Sequence, residues 1–398
     1  MSLKGDKSLK SDATMTLFSK LSIFYFVYFS LLGVMAPYLG LYLEKQGFSL
    51  FEIAQLSSLL MLTKIVAPML WGTLADRHQN RIYLVRLGAM MTMVCYLGFF
   101  VAEQFWHYAL IIVLFSFFWN AILPQFEVVT LLSLGGQKDR YSRIRLWGSI
   151  GFIISVVAMG WAFEKLGIYL FPLSLLVIVA AIFLASLFQF NTVEGRVAKP
   201  LTAPGLWQQI KRRDTQLFFW SCFLLQASHG AYYTYFSIFL ASIGYEKTQI
   251  GWLWGLGVFA EVIIFIIMHH WFARHSIKMI MLISLALTSL RWCLTSYYAD
   301  VFWVLVGSQC LHAFSFGAMH AAAIKFVDLN FDERTQGRAQ ALYSSLSFGL
   351  GGAVGAFLSG VIVVNTSYEM IFVVSAVMAV LAMILVFPFR SRLNTRLL

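Results

Sequence analysis

The sequence predicts an all-α polytopic membrane protein of twelve transmembrane helices in two six-helix halves. Three observations carry this. First, 60% of the 398 residues are hydrophobic and only 12% are charged, about half the charged share of soluble domains, and the mean hydropathy is +0.77. Second, the apolar residues fall into twelve long runs. Third, the basic residues concentrate in alternate connections between those runs. A soluble fold of this length has no core large enough to hide 37 Phe, 17 Tyr and 12 Trp beside the aliphatic residues. The composition therefore excludes a soluble enzyme, a disordered chain and a secreted disulfide scaffold.

The apolar runs cover residues 17–43, 50–71, 83–102, 106–133, 146–163, 168–190, 217–241, 249–271, 278–298, 301–326, 339–363 and 369–388. A spanning helix needs roughly 20 apolar residues, so each run suffices for one crossing, the longer ones with tilt. They must be helical, because an open strand edge in lipid leaves backbone groups unpaired. Residues 1–16 read as a polar cytoplasmic segment with no removable signal, and 389–398 as a cytoplasmic tail. The longest polar stretch, 191–216, reads as a cytoplasmic linker between the halves 17–190 and 217–388, with a short amphipathic helix from Trp207 to Arg213 on the membrane surface.

Of the 29 Lys and Arg, all but five fall on the side of the N-terminus. The exceptions are Lys45, Lys165 and Lys247 in the opposite loops, and Lys64 and Arg291 inside apolar runs. The positive-inside rule then predicts that both termini are cytoplasmic. The net charge of +11 is a topology signal with affinity for anionic lipid, not a footprint for nucleic acid. The four cysteines lie in apolar runs and outside any Cys/His cluster, so neither a disulfide framework nor a metal is expected. No other cofactor is implied, since the Gly-rich run at 349–357 is intramembrane and reads as close helix packing.

Ionisable groups inside apolar runs are costly and point to function. Glu127 on span four and Arg145 at the start of span five are joined by a short hairpin, which lets them face each other as an ion pair or a polar clamp. Glu261, Arg291 and His312 lie mid-span on runs eight, nine and ten, so they can converge as a proton relay or as a static packing pair, and His320, on the same run as His312, joins them as a proton-coupling candidate. Lys64, about two turns from the inner end of run two, either snorkels inward or offers a cation to an anionic solute. On run seven, His229 with Tyr232, Tyr233 and Gln226 at spacings of three and four residues shares one helix face, which suits a planar ligand.

Between runs two and three stands Gly72-Thr-Leu-Ala-Asp76-Arg77-His-Gln-Asn-Arg81. This resembles the loop signature of the major facilitator superfamily, with Gln79 in place of its second glycine. The resemblance implies that Gly72 permits close helix approach and that Asp76, Arg77 and Arg81 make inner-gate contacts that break when two related halves rock around a central cavity. Further stretches resemble the 3-phenylpropionate transporter group, near the lactose permease and nucleoside–proton symporter branch: RLWGSIGF (145–152), LQASHGAYYTYF (225–236), GWLWGLGVFAEVIIF (251–265) and SLRW (289–292).

The more distant resemblance to the lactose permease branch, carried by Asn120-Ala-Ile-Leu-Pro124-Gln-Phe-Glu127, implies substrate contacts at Asn120, Glu127, Arg145 and Phe152, and proton coupling at Glu261, Arg291 and His312. Phe152 replaces a stacking Trp, Ser315 replaces a carboxylate three residues beyond the span-ten His, and Gln309 replaces a Lys three before it. The implied protein is a monomeric proton-coupled symporter of a bacterial-type inner membrane. It would import a small organic solute, an aromatic carboxylate such as a phenylpropionate-like acid. Import of a sugar or nucleoside, or proton-driven drug export, are the alternatives.

Overall fold

The computed structural model describes residues 5–78, 80–135, 137–188, 190 and 205–389. Most of the expected linker (191–204), the tail beyond 389 and Gln79 of the loop signature lie outside the described residues. Within them the chain is helical, with no strand. Helices α1 (Gly5–Lys45), α2 (Leu50–His78), α3 (Arg81–Tyr96), α4 (Phe105–Ser133), α5 (Lys138–Leu166) and α6 (Phe171–Ser186) make the first six rods. A short helix, α7 (Leu206–Ile210), precedes α8 (Arg213–Ser242), α9 (Lys247–Arg274) and α10 (Ile277–Tyr297). The tenth rod joins α11 (Phe302–Cys310) to α12 (Met319–Asn330) through a π-helical segment, Ala313–Ala318. The eleventh joins α13 (Glu333–Ser344) to α14 (Gly352–Asn365) through a second one, Ser345–Gly351. The twelfth is α15 (Tyr368–Val386).

Eleven of these rods are long and apolar enough to cross a membrane. The exception is α8, whose middle carries Gln226, Ser228, His229 and three tyrosines. Most of α8 is buried, including every residue from Leu225 to Tyr232, so protein rather than lipid solvates its polar centre.

By contact the chain falls into two compact units. One comprises residues 1–35, 67–156 and 170–197; the other comprises 36–66, 157–169 and 198–398. Residues 36–45 of α1, 50–66 of α2 and 157–166 of α5 thus group with the helices from α8 onward. In the first unit, Phe24 stacks on Phe126 with ring centroids 3.6 Å apart, and Gly33 and Gly151 let α1 and α5 cross at backbone contact, where a Cβ on Gly151 would collide with the Phe26 carbonyl.

In the second unit, α8 and α14 cross the same way. A Cβ on Gly230 would strike the backbone of Gly355, and one on Gly355 would strike that of Ala227. The Gly-rich run is thus a helix contact. In the same unit, Gly160 of α5 is pressed against the Lys247 carbonyl and the Tyr38 hydroxyl. One turn on, Glu164 accepts hydrogen bonds from the Lys247 amide (2.9 Å) and ammonium (3.3 Å). Tyr235 donates to the Leu50 carbonyl at 2.6 Å.

The expected amphipathic helix after the linker is shorter than its sequence signal, ending at Ile210. Gln209 is buried and tied to Asp332 and Thr335, while Trp207 is exposed.

Candidate functional site

Arg291 of α10 is fully buried at the centre of a polar cluster built entirely within the second unit. Its guanidinium lies over the rings of Tyr232 (4.4 Å to the centroid) and Trp292 (4.3 Å). Nη1 contacts His312 Nδ1 at 2.9 Å and Ser315 Oγ at 3.0 Å. Nη2 donates to Gln309 Oε1 at 3.3 Å, and the same oxygen accepts from the Tyr232 hydroxyl at 3.0 Å. On the far side of the imidazole, His312 Nε2 lies 2.6 Å from Glu261 Oε1. Glu261 and Arg291 are therefore bridged through one ring, and the two charges offset each other where an isolated one would be prohibitive.

The local sequence explains how these groups meet. Glu261 lies one turn beyond Gly257 on α9, and a Cβ at Gly257 would come within 3.2 Å of the His312 ring. The glycine leaves room for the imidazole to reach the carboxylate. His312 immediately precedes the π segment Ala313–Ala318, which changes the facing of the side chains that follow and contributes Ser315.

His229 also lies in the cluster, fully buried. Its Nδ1 is 2.8 Å from the Leu225 carbonyl and its Nε2 3.4 Å from Ser315 Oγ. Below His229, Ser228 accepts from the Trp292 indole at 3.2 Å. The expected face of α8 is thus divided. His229 and Tyr232 turn into the bundle and use their polar atoms on protein partners. Tyr233, half-buried, stacks near Trp254, and Gln226 is buried beside Gly351. His320, two turns on from His312, bonds Tyr343 through Nδ1 at 3.1 Å, and the ring of Phe316 stacks between the His312 and His320 rings.

The first unit holds the other acid–base pair. Glu127 Oε1 lies 4.0 Å from Arg145 Nε and accepts from the Tyr141 hydroxyl at 3.4 Å. The Arg145 guanidinium sits 4.0 Å from the centroid of Phe29, so it is held as much by an aromatic face as by the carboxylate. Asn120 is half-buried two turns before Glu127 on α4, and Phe152 is buried at the α1–α5 crossing. In the second unit, Lys64 is half-buried with its ammonium 3.3 Å from Met61 Sδ, and no carboxylate among the described residues pairs with it.

The loop signature departs from expectation in two respects. Residues 72–78 are the last turns of α2, not a loop, because Leu74 and Ala75 continue its packing against Trp71 and Leu84. A Cβ on Gly72 would meet nothing within 4 Å among the described residues, so this glycine marks no close helix contact here. Asp76, half-exposed, pairs with Arg81 at the start of α3, and Arg81 also donates to Gln125. Arg77 is exposed. Sequence reasoning missed Gln309, Ser315 and Tyr141; the first two entered only as substitutions in a family pattern.

Helical rods of which eleven are long and apolar enough to cross a membrane, with buried charge inside each unit, define a multi-pass membrane protein. The family model described as the MFS_1 like family matches residues 18–391, and the chain belongs to that family of major facilitator transporters, which are not enzymes. It is 27% identical over 335 residues to a probable 3-phenylpropionic acid transporter of Escherichia coli (strain K12), covering 83% of this chain and 86% of the relative. It is 26% identical over 339 residues to the maltose permease of Geobacillus stearothermophilus, covering 83% of each. The crystal structure of the nucleoside transporter NupG superposes with a TM-score of 0.83 over 94% of this chain and 100% of that one, at 19% identity, a likeness of fold.

Proposed function

We propose that the chain is a proton-coupled symporter that imports a small aromatic carboxylate by alternating access, with both termini in the cytoplasm and the monomer as the working unit. The observation that carries this reading is the Glu261–His312–Arg291 bridge. A buried carboxylate whose counter-charge is one imidazole away is a group that proton uptake can neutralise without exposing it to lipid. Neutralising Glu261 leaves the Arg291 cation without its offset, which changes the balance of charge that each conformation must hold.

The carboxylate preference draws on two cations. Lys64 has no carboxylate partner among the described residues, and Arg145 is only loosely engaged by Glu127. A planar acid suits an aromatic-backed guanidinium such as that of Arg145 on Phe29. The similarity to a probable 3-phenylpropionic acid transporter points the same way. In this reading the packed outer ends of α1, α2 and α5, with Glu164 on Lys247, form the closed external gate. The Asp76–Arg81 pair belongs to the inner gate.

A second reading, a sugar–proton symporter, is favoured by the Glu127 carboxylate near Arg145 and by the similarity to maltose permease. Reconstituted protein separates the two. Uptake of labelled 3-phenylpropionate driven by an inward proton gradient, abolished by a protonophore and uncompeted by maltose or nucleosides, supports the first. Gradient-driven uptake of maltose with none of phenylpropionate overturns it.

A further inference from the structure

Arginine has only donors, and this fixes the protonation of the cluster around it. Because Arg291 Nη1 donates to His312 Nδ1 at 2.9 Å, that nitrogen carries a lone pair and no proton. The proton of the neutral ring therefore sits on Nε2 and is donated to Glu261 Oε1 at 2.6 Å. A second proton on His312 would set an N–H against the guanidinium N–H at that distance. Between the two groups on this ring, an added proton is therefore accepted by the Glu261 carboxylate and not by His312.

His229 is fixed in the opposite tautomer. Its Nδ1 donates to the Leu225 carbonyl at 2.8 Å, leaving Nε2 to accept from the Ser315 hydroxyl at 3.4 Å, while Ser315 Oγ accepts from Arg291 at 3.0 Å. The Ser315 hydroxyl has a second acceptor, the His312 carbonyl at 3.3 Å, so hydrogen bonding alone allows a proton on His229. Charge does not. One hydroxyl separates this fully buried ring from the Arg291 cation, and like charges at that spacing in a dry interior repel strongly. Among the described residues, the remaining titratable groups facing the cluster are Tyr232 and Tyr233 of α8, phenols that are protonated at neutral pH.

We infer that the cluster takes up a single proton, on Glu261, and that His312, Ser315 and His229 are positioning residues that hold Arg291 through neutral hydrogen bonds rather than stations of a proton relay. This deepens the proposed coupling role of Glu261 and rests on it. It assigns the same task to two histidines by opposite tautomers, with Ser315 as the hydroxyl between Arg291 and His229.

The inference specifies which side chain can replace His312. A glutamine offers an amide N–H to Glu261 and a carbonyl to Arg291, reproducing the neutral ring's donor and acceptor without its ability to become a cation. The test is an infrared pH-difference titration of the purified full-length protein, which needs no substrate. The expected result is a carboxyl band lost in Glu261→Gln and retained in His312→Gln, with the imidazolium bands of wild type and His312→Gln the same. Imidazolium bands that form on acidification and vanish in His312→Gln overturn the inference, as does a titrating carboxyl unaffected by Glu261→Gln.

Transport gives the second readout, with 3-phenylpropionate as the probe. His312→Gln keeps proton-driven accumulation and His312→Ala loses it; accumulation lost equally in both, with the thermal midpoint of His312→Gln unchanged, overturns the positioning role. If wild type takes up no 3-phenylpropionate, the substrate reading fails alone and the infrared titration still decides.

Discussion

Glu164 and Lys247 join the C-terminal end of α5 to the start of α9 through two hydrogen bonds on one carboxylate oxygen, at 2.9 Å from the backbone amide and 3.3 Å from the ammonium. The first of these matters as much as the ion pair. Lys247 opens α9, and Glu246 before it forms a capping box with Gln249. The carboxylate thus satisfies the Lys247 N–H at the positive end of the helix dipole. A partly exposed pair of this kind contributes about 1 kcal/mol, small for a fold but enough to shift a two-state gate severalfold.

Glu164→Gln keeps one hydrogen bond and removes the charge, so the proposed external gate should open more often. Gly160→Trp should act more strongly, since even a Cβ there meets the Lys247 carbonyl and the Tyr38 hydroxyl. Spin labels at the exposed positions Leu166 and Ile243 check both. A longer distance component should grow from wild type to Glu164→Gln to Gly160→Trp.

Gly355→Ala should destabilise the second unit. The added methyl points into the backbone of Ala227, and backbone cannot move aside as a flexible side-chain end does. Overpacking of this kind costs about 1–3 kcal/mol or more. The thermal midpoint in detergent should fall by several degrees, whereas Gly72→Ala, where a Cβ meets nothing among the described residues, should leave it unchanged.

Lys64→Gln tests the anion reading. Removing a charge-assisted contact costs about 1.5–3 kcal/mol, which corresponds to a rise in KM for 3-phenylpropionate of roughly ten- to a hundredfold. Inhibition by the neutral amide of the same acid should be unaffected. An equal loss for acid and amide would show that Lys64 supports the helix rather than reads the charge.

Arg291→Lys should lose accumulation although the charge is kept. An ammonium offers no planar fork, and Arg291 reaches His312, Ser315 and Gln309 at once. Breaking a buried charge pair outright costs about 3–5 kcal/mol, so Arg291→Ala should also lower the yield of folded protein. Size-exclusion profiles and the thermal midpoint separate the two variants.

Much of this was legible in the chain itself. Apolar runs located the helices because lipid demands about twenty apolar residues in a row, and α8 was found by length despite its polar centre. The meeting of Glu261, Arg291 and His312 was legible because intramembrane charge is rare and the three stand mid-span on consecutive helices. Ser315 and Gln309 were not, since neutral polar residues are common in membrane helices and carry no signal until a π segment and a buried guanidinium give them a partner. The α5–α9 junction was equally hidden, because Glu164 and Lys247 look like ordinary loop charges in sequence. The signature from Gly72 to Arg81 misled on geometry, as its residues could be recognised without showing that α2 runs on through His78.

The central claim is that Glu261 carries the coupled proton, and reconstituted Glu261→Gln tests it most directly. With 3-phenylpropionate inside and out at equal pH, exchange should proceed at near wild-type rate. Accumulation driven by a proton gradient, and the alkalinisation of a weakly buffered medium on substrate addition, should both vanish. Gradient-driven accumulation by Glu261→Gln at the wild-type level would contradict the account.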